Sequence, residues 1–167
     1  MKEDHFEATS QSTQENVNQN LINISLRYLS LREYSEKELK RKVIAKEYFS
    51  DKDFAKTFEY LKSKNYLNDE RYIRQKSNLL KLKGFSDQYI VNYLRREELD
   101  VTIEQVSDLG LSSDNEIIKK LILKKTKSSP ISNLSNKRLN SIKRYLYSKG
   151  HDIQAITSAL NSMEESH

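Results

Sequence analysis

Three pairs of neighbouring acids, Asp51 with Asp53, Asp69 with Glu70 and Glu97 with Glu98, are the groups best placed by type to hold a metal or move a proton. Each pair falls at an expected helix start or a solvated helix end, and carboxylates near a helix start are favourable against its dipole. No histidine accompanies them. His5 lies in the N-terminal segment, His167 is the last residue, and His151 sits at a corner position described below. No Gly-x-Ser-x-Gly, His-Glu-x-x-His or Gly-rich phosphate cradle occurs. The absence of cysteine excludes disulfides, thiolate metal sites and cysteine nucleophiles. The expectation is a non-enzyme with no catalytic residue, cofactor or metal.

The cations are more informative. They cluster as Lys40-Arg41-Lys42, Arg95-Arg96, Lys119-Lys120, Lys124-Lys125, Lys137-Arg138 and Lys143-Arg144. Such clusters are read either as solvated helix faces or as contacts to phosphates and acidic surfaces. Glu36, Glu38, Glu97 and Glu98 can neutralise the first two locally. Lys119 to Lys127 contains five cations and no acid, and helical spacing puts Lys120, Lys124 and Lys127 on one face. The chain carries 29 Lys+Arg against 24 Asp+Glu, a net charge of +5. Residues 1–20 are net −3, whereas residues 21–163 hold 28 basic and 18 acidic side chains. A body with that excess favours polyanions or an acidic protein surface. The ten tyrosines could stack on bases, but most sit beside Leu at helix ends, where packing with the hydroxyl outward is the simpler role.

The elements that must position these residues are helical. With 167 residues, three glycines and one proline, the chain lacks the turns of an all-β protein and the Gly-rich loops of a nucleotide-binding α/β fold. A mean hydropathy of −0.82 suggests thin cores and an elongated shape. Apolar residues recur one turn apart through nine short segments. They include Ile22, Leu26 and Leu29, then Leu39 and Val43 after the capping box Ser35-x-x-Glu38, then Phe54, Phe58 and Leu61. Asn68, Ser86 and Ser113 are further helix starts. The Thr126–Ser135 stretch reads as a loop. Residues 1–20, rich in Gln, Asn, Ser, Thr and Glu, read as a flexible acidic tail that could compete for the basic body. No apolar run is long enough to span a membrane, and Met1 to Asn20 is too polar for a signal peptide, so a soluble cytoplasmic protein is expected.

A corner motif recurs three times: Tyr28 to Ser35, Leu79 to Ser86 and Tyr145 to Asp152. A cation follows the helix-ending Leu by three residues (Arg32, Lys83, Lys149). A ring comes two residues later (Tyr34, Phe85, His151), and then an N-cap (Ser35, Ser86, Asp152). Gly84 and Gly150 supply the left-handed residue of the turn, and Asn65 does so before Tyr66 in a related corner. The ring is expected to plug each corner. The copies are spaced unevenly, which fits three loosely similar three-helix units at residues 21–66, 67–110 and 111–163, with a C-terminal tail at 164–167.

These residues resemble the RecX family of RecA regulators. The resemblance rests on Leu26-Arg27-Tyr28-Leu29-x-x-Arg32-Glu33-Tyr34-Ser35-x-x-Glu38-Leu39-x-x-Lys42, on Tyr66-Leu67-Asn68-Asp69-Glu70-Arg71-Tyr72, and on Arg144-Tyr145-Leu146-x-x-Lys149-Gly150-x-Asp152-x-x-x-Ile156. It departs at Asn65, where the family has Gly, and across Val101 to Ser113. The resemblance implies an all-α, curved array of three tandem three-helix repeats. It also implies binding along the groove of a RecA filament on single-stranded DNA, by a monomer. Such binding would restrain ATP hydrolysis, strand exchange and repressor self-cleavage in recombination, repair and the SOS response. The candidate contact residues are Arg32, Lys40, Arg41, Lys83, Arg95, Arg96, Lys120, Lys124, Lys125, Lys127, Lys143, Arg144 and Lys149. The alternative from charge alone is a general helical DNA- or RNA-binding protein with no recombinase partner.

Overall fold

The computed structural model describes residues 18–127 and 129–165. Among them are nine α-helices and no strand. The helices are α1 (Gln19–Leu29), α2 (Glu36–Ile44), α3 (Asp51–Ser63), α4 (Asp69–Leu82), α5 (Asp87–Arg96), α6 (Ile103–Ser107), α7 (Asp114–Thr126), α8 (Asn136–Ser148) and α9 (Ile153–Glu164). A 3-10 turn, Ile131–Asn133, tightens the loop between α7 and α8. Asn18 caps α1, so the helix begins inside the segment read as a tail. Residues 1–17 and 166–167, and with them the competing acidic arm and the end of the C-terminal tail, lie outside the described residues.

Local chemistry explains where each helix starts. All nine have a capping side chain that accepts a hydrogen bond from a first-turn N–H: Asn18, Ser35, Ser50, Asn68, Ser86, Thr102, Ser113, Ser135 and Asp152. Each cap contributes about 1 kcal/mol relative to alanine. Short helices of this kind are marginal alone, so the caps and the buried apolar stripes must act together.

The helix ends are equally regular. Phe85 N–H reaches back to Leu80 O at 3.0 Å while Gly84 N–H bonds Lys81 O at 2.8 Å. This paired closure needs a left-handed residue, and Gly84 has φ +82°. Gly150 (φ +86°) closes α8 in the same way, with His151 N–H on Leu146 O at 3.3 Å. Asn65 (φ 57°) does so after α3 and Glu98 (φ 65°) after α5. The Cβ of Glu98 works against that conformation, and nothing in its residue type announces it. At the Asn65 corner the expected plug differs: Tyr66 stays 49% exposed, and Leu67, at 2%, fills the space. The closing turn aims residue 66 outward there, so the next apolar residue is the one that packs.

Three clusters of buried residues result. The first joins Leu21, Tyr34, Leu39, Val43, Phe54, Leu61 and others up to Leu67. The second runs from Tyr72 to Val106, and the third from Ile118 to Leu160.

Polar contacts link the clusters in series. Between the first and second, the buried Glu97 carboxylate accepts Ser35 Oγ at 2.9 Å and Arg41 Nη2 at 2.8 Å. Lys37 Nζ donates to Arg96 O at 2.9 Å and pairs with Glu98 at 2.9 Å. Arg71 Nε reaches Glu33 at 2.8 Å. Between the second and third, two corners meet face to face. Ser86 Oγ donates to Gly150 O at 2.7 Å and Ser86 N–H to Lys149 O at 3.1 Å. His151 Nε2 lies 3.0 Å from Gly84 O. Beside them, the buried Lys81 ammonium bridges Asp87 at 2.8 Å and Asp114 at 2.7 Å. Asp114 also accepts Asp87 N–H at 3.1 Å.

Candidate partner-binding surface

The structure divides the cations by what holds them. Toward the N-terminal end most are engaged within the fold. Arg32 makes a two-pronged pair with Glu38, at 2.7 and 2.9 Å, and its guanidinium lies 3.6 Å from the centre of the Tyr34 ring. Hydrogen bonds to Glu38 raise the Arg32 pKa above its ordinary value, against the opposing cost of burial. Burial pushes Glu38 up, but Arg32 and the charge of Lys76 outweigh it and hold the carboxyl below its usual value. Lys40 pairs with Asp51 at 2.7 Å, Arg41 with Glu97, and Arg95 Nε donates to Val101 O at 3.1 Å. Lys83 and Arg96 are exposed.

Toward the C-terminal end the balance reverses. From Ile117 to His151 the sequence holds ten cations and no acid. None of the ten pairs with a carboxylate among the described residues. Lys120, Lys124, Lys127, Lys137, Arg138, Lys143 and Arg144 are exposed. Three of the ten are used locally without being neutralised. Lys125 Nζ sits 4.1 Å from the Tyr145 ring centre, Lys149 Nζ 3.9 Å from that of Phe85, and Arg138 donates to Lys125 O at 2.8 Å. The last contact covers a carbonyl at the end of α7, where cations are favoured. Charge is further concentrated at α8, where Lys137, Asn140, Lys143 and Arg144 border one hollow. Lys127 does not share the helical face of Lys120 and Lys124 as its spacing suggests, because α7 ends at Thr126 and Lys127 is the left-handed residue that closes it. The seven exposed, acid-free cations still form a surface that attracts phosphates or carboxylates over roughly a Debye length.

Beside this surface is a groove between α8 and α9 of about 320 Å³. Tyr147, Ile153, Ile156 and Thr157 line it, with Lys143 and Arg144 at its edge. Tyr147 is 63% and Ile153 64% exposed. Neither is a candidate from sequence alone. The one signal there is an apolar residue on the cationic side of a helix, Tyr147 standing one turn after Lys143, a placement that corner packing accounts for equally well.

The remaining corner residues are structural. Tyr34, Ser35, Ser86 and His151 are buried, Phe85 is half-buried against Tyr89 with ring centres 4.1 Å apart, and Asp152 caps α9. The paired acids serve caps and joints, and no group of three or more metal-type ligands is present among the described residues. No helix of the described residues is long and apolar enough to cross a membrane.

Comparison with known families bears on the other end of the molecule. Residues 22–51, which contain most of α1, the first corner and α2, match the family model described as the first three-helix domain of RecX. Over this stretch, well under half of its length, the chain is similar to the RecX family. No curated protein matches it. The matched stretch includes the Arg32–Glu38 pair, which ties the corner to α2, and the buried Tyr34 plug.

Proposed function

We infer that this chain binds the RecA filament on single-stranded DNA, along its groove, and lowers its ATP hydrolysis, strand exchange and coprotease activity. That makes it a regulator of recombination, DNA repair and the SOS response. The match of residues 22–51 to the first RecX domain carries this reading. The acid-free cations from Lys119 to Lys149 support it, because a filament presents both phosphates and protein carboxylates. On this reading the chain is a curved series of three units, at residues 21–66, 67–110 and 111–163. It acts as a monomer in the cytoplasm. Successive units engage successive protomers, and linked contacts multiply into high affinity even when each alone is weak. An occupant of the groove excludes a second DNA strand or a repressor by volume.

The test is recombinase ATP hydrolysis on single-stranded DNA, titrated with this chain below one copy per protomer. A fall in rate at such ratios, absent with a charge-matched helical control, is the expected result. Charge reversal of Lys124 and Lys125 together with Lys143 and Arg144 should weaken the effect while helicity is kept. No effect until the DNA itself is saturated points instead to a general nucleic-acid-binding protein, with salt-steep affinity for naked DNA.

A further inference from the structure

The two joints share a rule. Aligning the three corners on their caps makes Ser35, Ser86 and Asp152 equivalent, and the face around each can then be compared. On the first corner, Ser35 and the residues two and six beyond it (Lys37 and Arg41) take Glu97 and Glu98 of the following cluster. On the second, the residues five before and one beyond Ser86 (Lys81 and the N–H of Asp87) take Asp114 of the following cluster. Each corner therefore receives carboxylates from the segment that comes next in the chain, though through different positions: Gln88 and Asn92, which align with Lys37 and Arg41, bond each other instead.

On the third corner, the positions equivalent to Lys81 and Asp87 are Tyr147 and Ile153, and those equivalent to Lys37 and Arg41 are Gln154 and Ser158. The first two line the 320 Å³ groove, and the other two border an adjoining hollow that also reaches Ile153. No described segment covers them. Lys143 and Arg144 stand at the groove edge in place of the cations that hold the carboxylates elsewhere.

We propose that this third face is a docking site for an acidic segment of a protein partner, which takes the place that the following cluster takes on the two earlier faces. The segment presents carboxylates to Lys143 and Arg144 and seats a bulky apolar side chain between Tyr147 and Ile153. Charge selects the sign of the partner. The apolar floor favours a side chain over a phosphodiester backbone, because burying solvated phosphate against Tyr147, Ile153 and Ile156 would leave it unpaired. Peptide grooves of this type read alternate anchors on one helix face. The inference does not rest on the recombinase reading, since the ATPase test and the one below can fail separately.

The experiment is fluorescence anisotropy with the full chain and three labelled probes. These are an acidic dodecapeptide with glutamates flanking one Leu and one Phe, its twin with Gln at each Glu, and an oligothymidylate. The acidic peptide should bind, and its Kd should rise by about tenfold or more for the Gln twin, for Ile153→Asp and for Arg144→Glu. Leu31→Asp, in a different exposed patch, should leave it unchanged. Ile153 is exposed at the first turn of α9, where an acid is favourable, so Ile153→Asp should fold, and Tyr147→Ala serves as a second variant. Three results overturn the proposal: no peptide binding at millimolar concentration, equal affinity of the parent chain and the variants, or oligothymidylate affinity that falls with Ile153→Asp while the peptide's does not. A dimer of this chain that Ile153→Asp dissolves overturns it as well, by naming a second copy as the occupant.

Discussion

The joint between the first two clusters and the joint between the last two solve one problem with opposite charges. The first buries a carboxylate: Glu97 is 7% exposed and is held by Ser35 and by Arg41, whose own side chain is 55% exposed. The second buries a cation: the Lys81 side chain is 4% exposed between Asp87 and Asp114. The first joint is made of side chains reaching across a gap. The second adds backbone, with Ser86 bonded to Lys149 O and Gly150 O. A joint carried by long side chains tolerates small changes of angle. One that locks two turns together does not.

The contrast is most exposed to test at Gly150. A Cβ there would meet Ser86 Oγ and Tyr89 Cβ, each at 2.8 Å, at a φ of +86°. Gly150→Ala should cost about 3 kcal/mol in urea unfolding, since strain and clash add. Gly110, with φ +70° and nothing within 4 Å of where a Cβ would stand, is the control: Gly110→Ala should cost about 1 kcal/mol. Equal losses at the two sites would mean that the second joint is no tighter than an open turn.

Next in size is Lys81→Met, which leaves Asp87 and Asp114 facing each other without their cation. It should cost about 2 kcal/mol, and most of that should disappear in the background of Asp114→Asn. A smaller effect is expected at the first joint. Glu97→Gln keeps an acceptor for Ser35 and releases only an exposed Arg41, a loss of about 1 kcal/mol. Raising the salt concentration should shrink the Glu97 effect more than the Lys81 effect, because exposed partners are screened and buried ones are not. The opposite ranking would remove the difference between the two joints.

The mildest prediction concerns pH. Burial holds the His151 imidazole below its ordinary value, opposed by its contact with Gly84 O and by the charge of Asp114. The unfolded chain therefore takes up a proton below about pH 6.5 that the folded chain resists. Stability contributed by neutral His151 is full above that pH and declines as the pH falls beneath it. Comparison of unfolding midpoints at pH 7.5 and 5.5 should show this decline in the parent chain and a smaller one in His151→Gln. Glu38 adds a separate loss at lower pH, because its carboxylate must be protonated against the Arg32 pair.

Much of the fold is legible in the sequence because its rules are local. Ser35, Ser86, Ser113 and Asp152 announce helix starts by type, Ser35 and Ser113 also by a Glu three positions on, and Gly84, Gly150 and Asn65 announce left-handed turns by type. Glu98 and Lys127 take the same left-handed backbone without a residue type that favours it. Their turns are set by the packing of Leu99 and by the loop after α7, which no short window contains. The joints are hidden for a related reason. Ser35 and Glu97 lie 62 residues apart, and Lys81 and Asp114 lie 33 apart. Sequence counts a cation as available until its partner is placed in space. Arg32, Lys40 and Arg41 thus rank with Lys143 and Arg144 as candidates, although the former are held by Glu38, Asp51 and Glu97. The apolar groove escapes notice because Ile153 follows the helical period of the core residues Ile156 and Leu160 while facing outward, and Tyr147 sits among corner residues that otherwise pack inward.

The burial of Lys81 has a further consequence, in the reactivity of its amine. An acylating reagent modifies only an amine it can reach, and this one is buried between two carboxylates. Exposed lysines such as Lys120 and Lys143 should label at once, whereas Lys81 should label only in molecules whose second joint has opened. The lag between those two signals is a clock for that opening, built into the chain without any added probe.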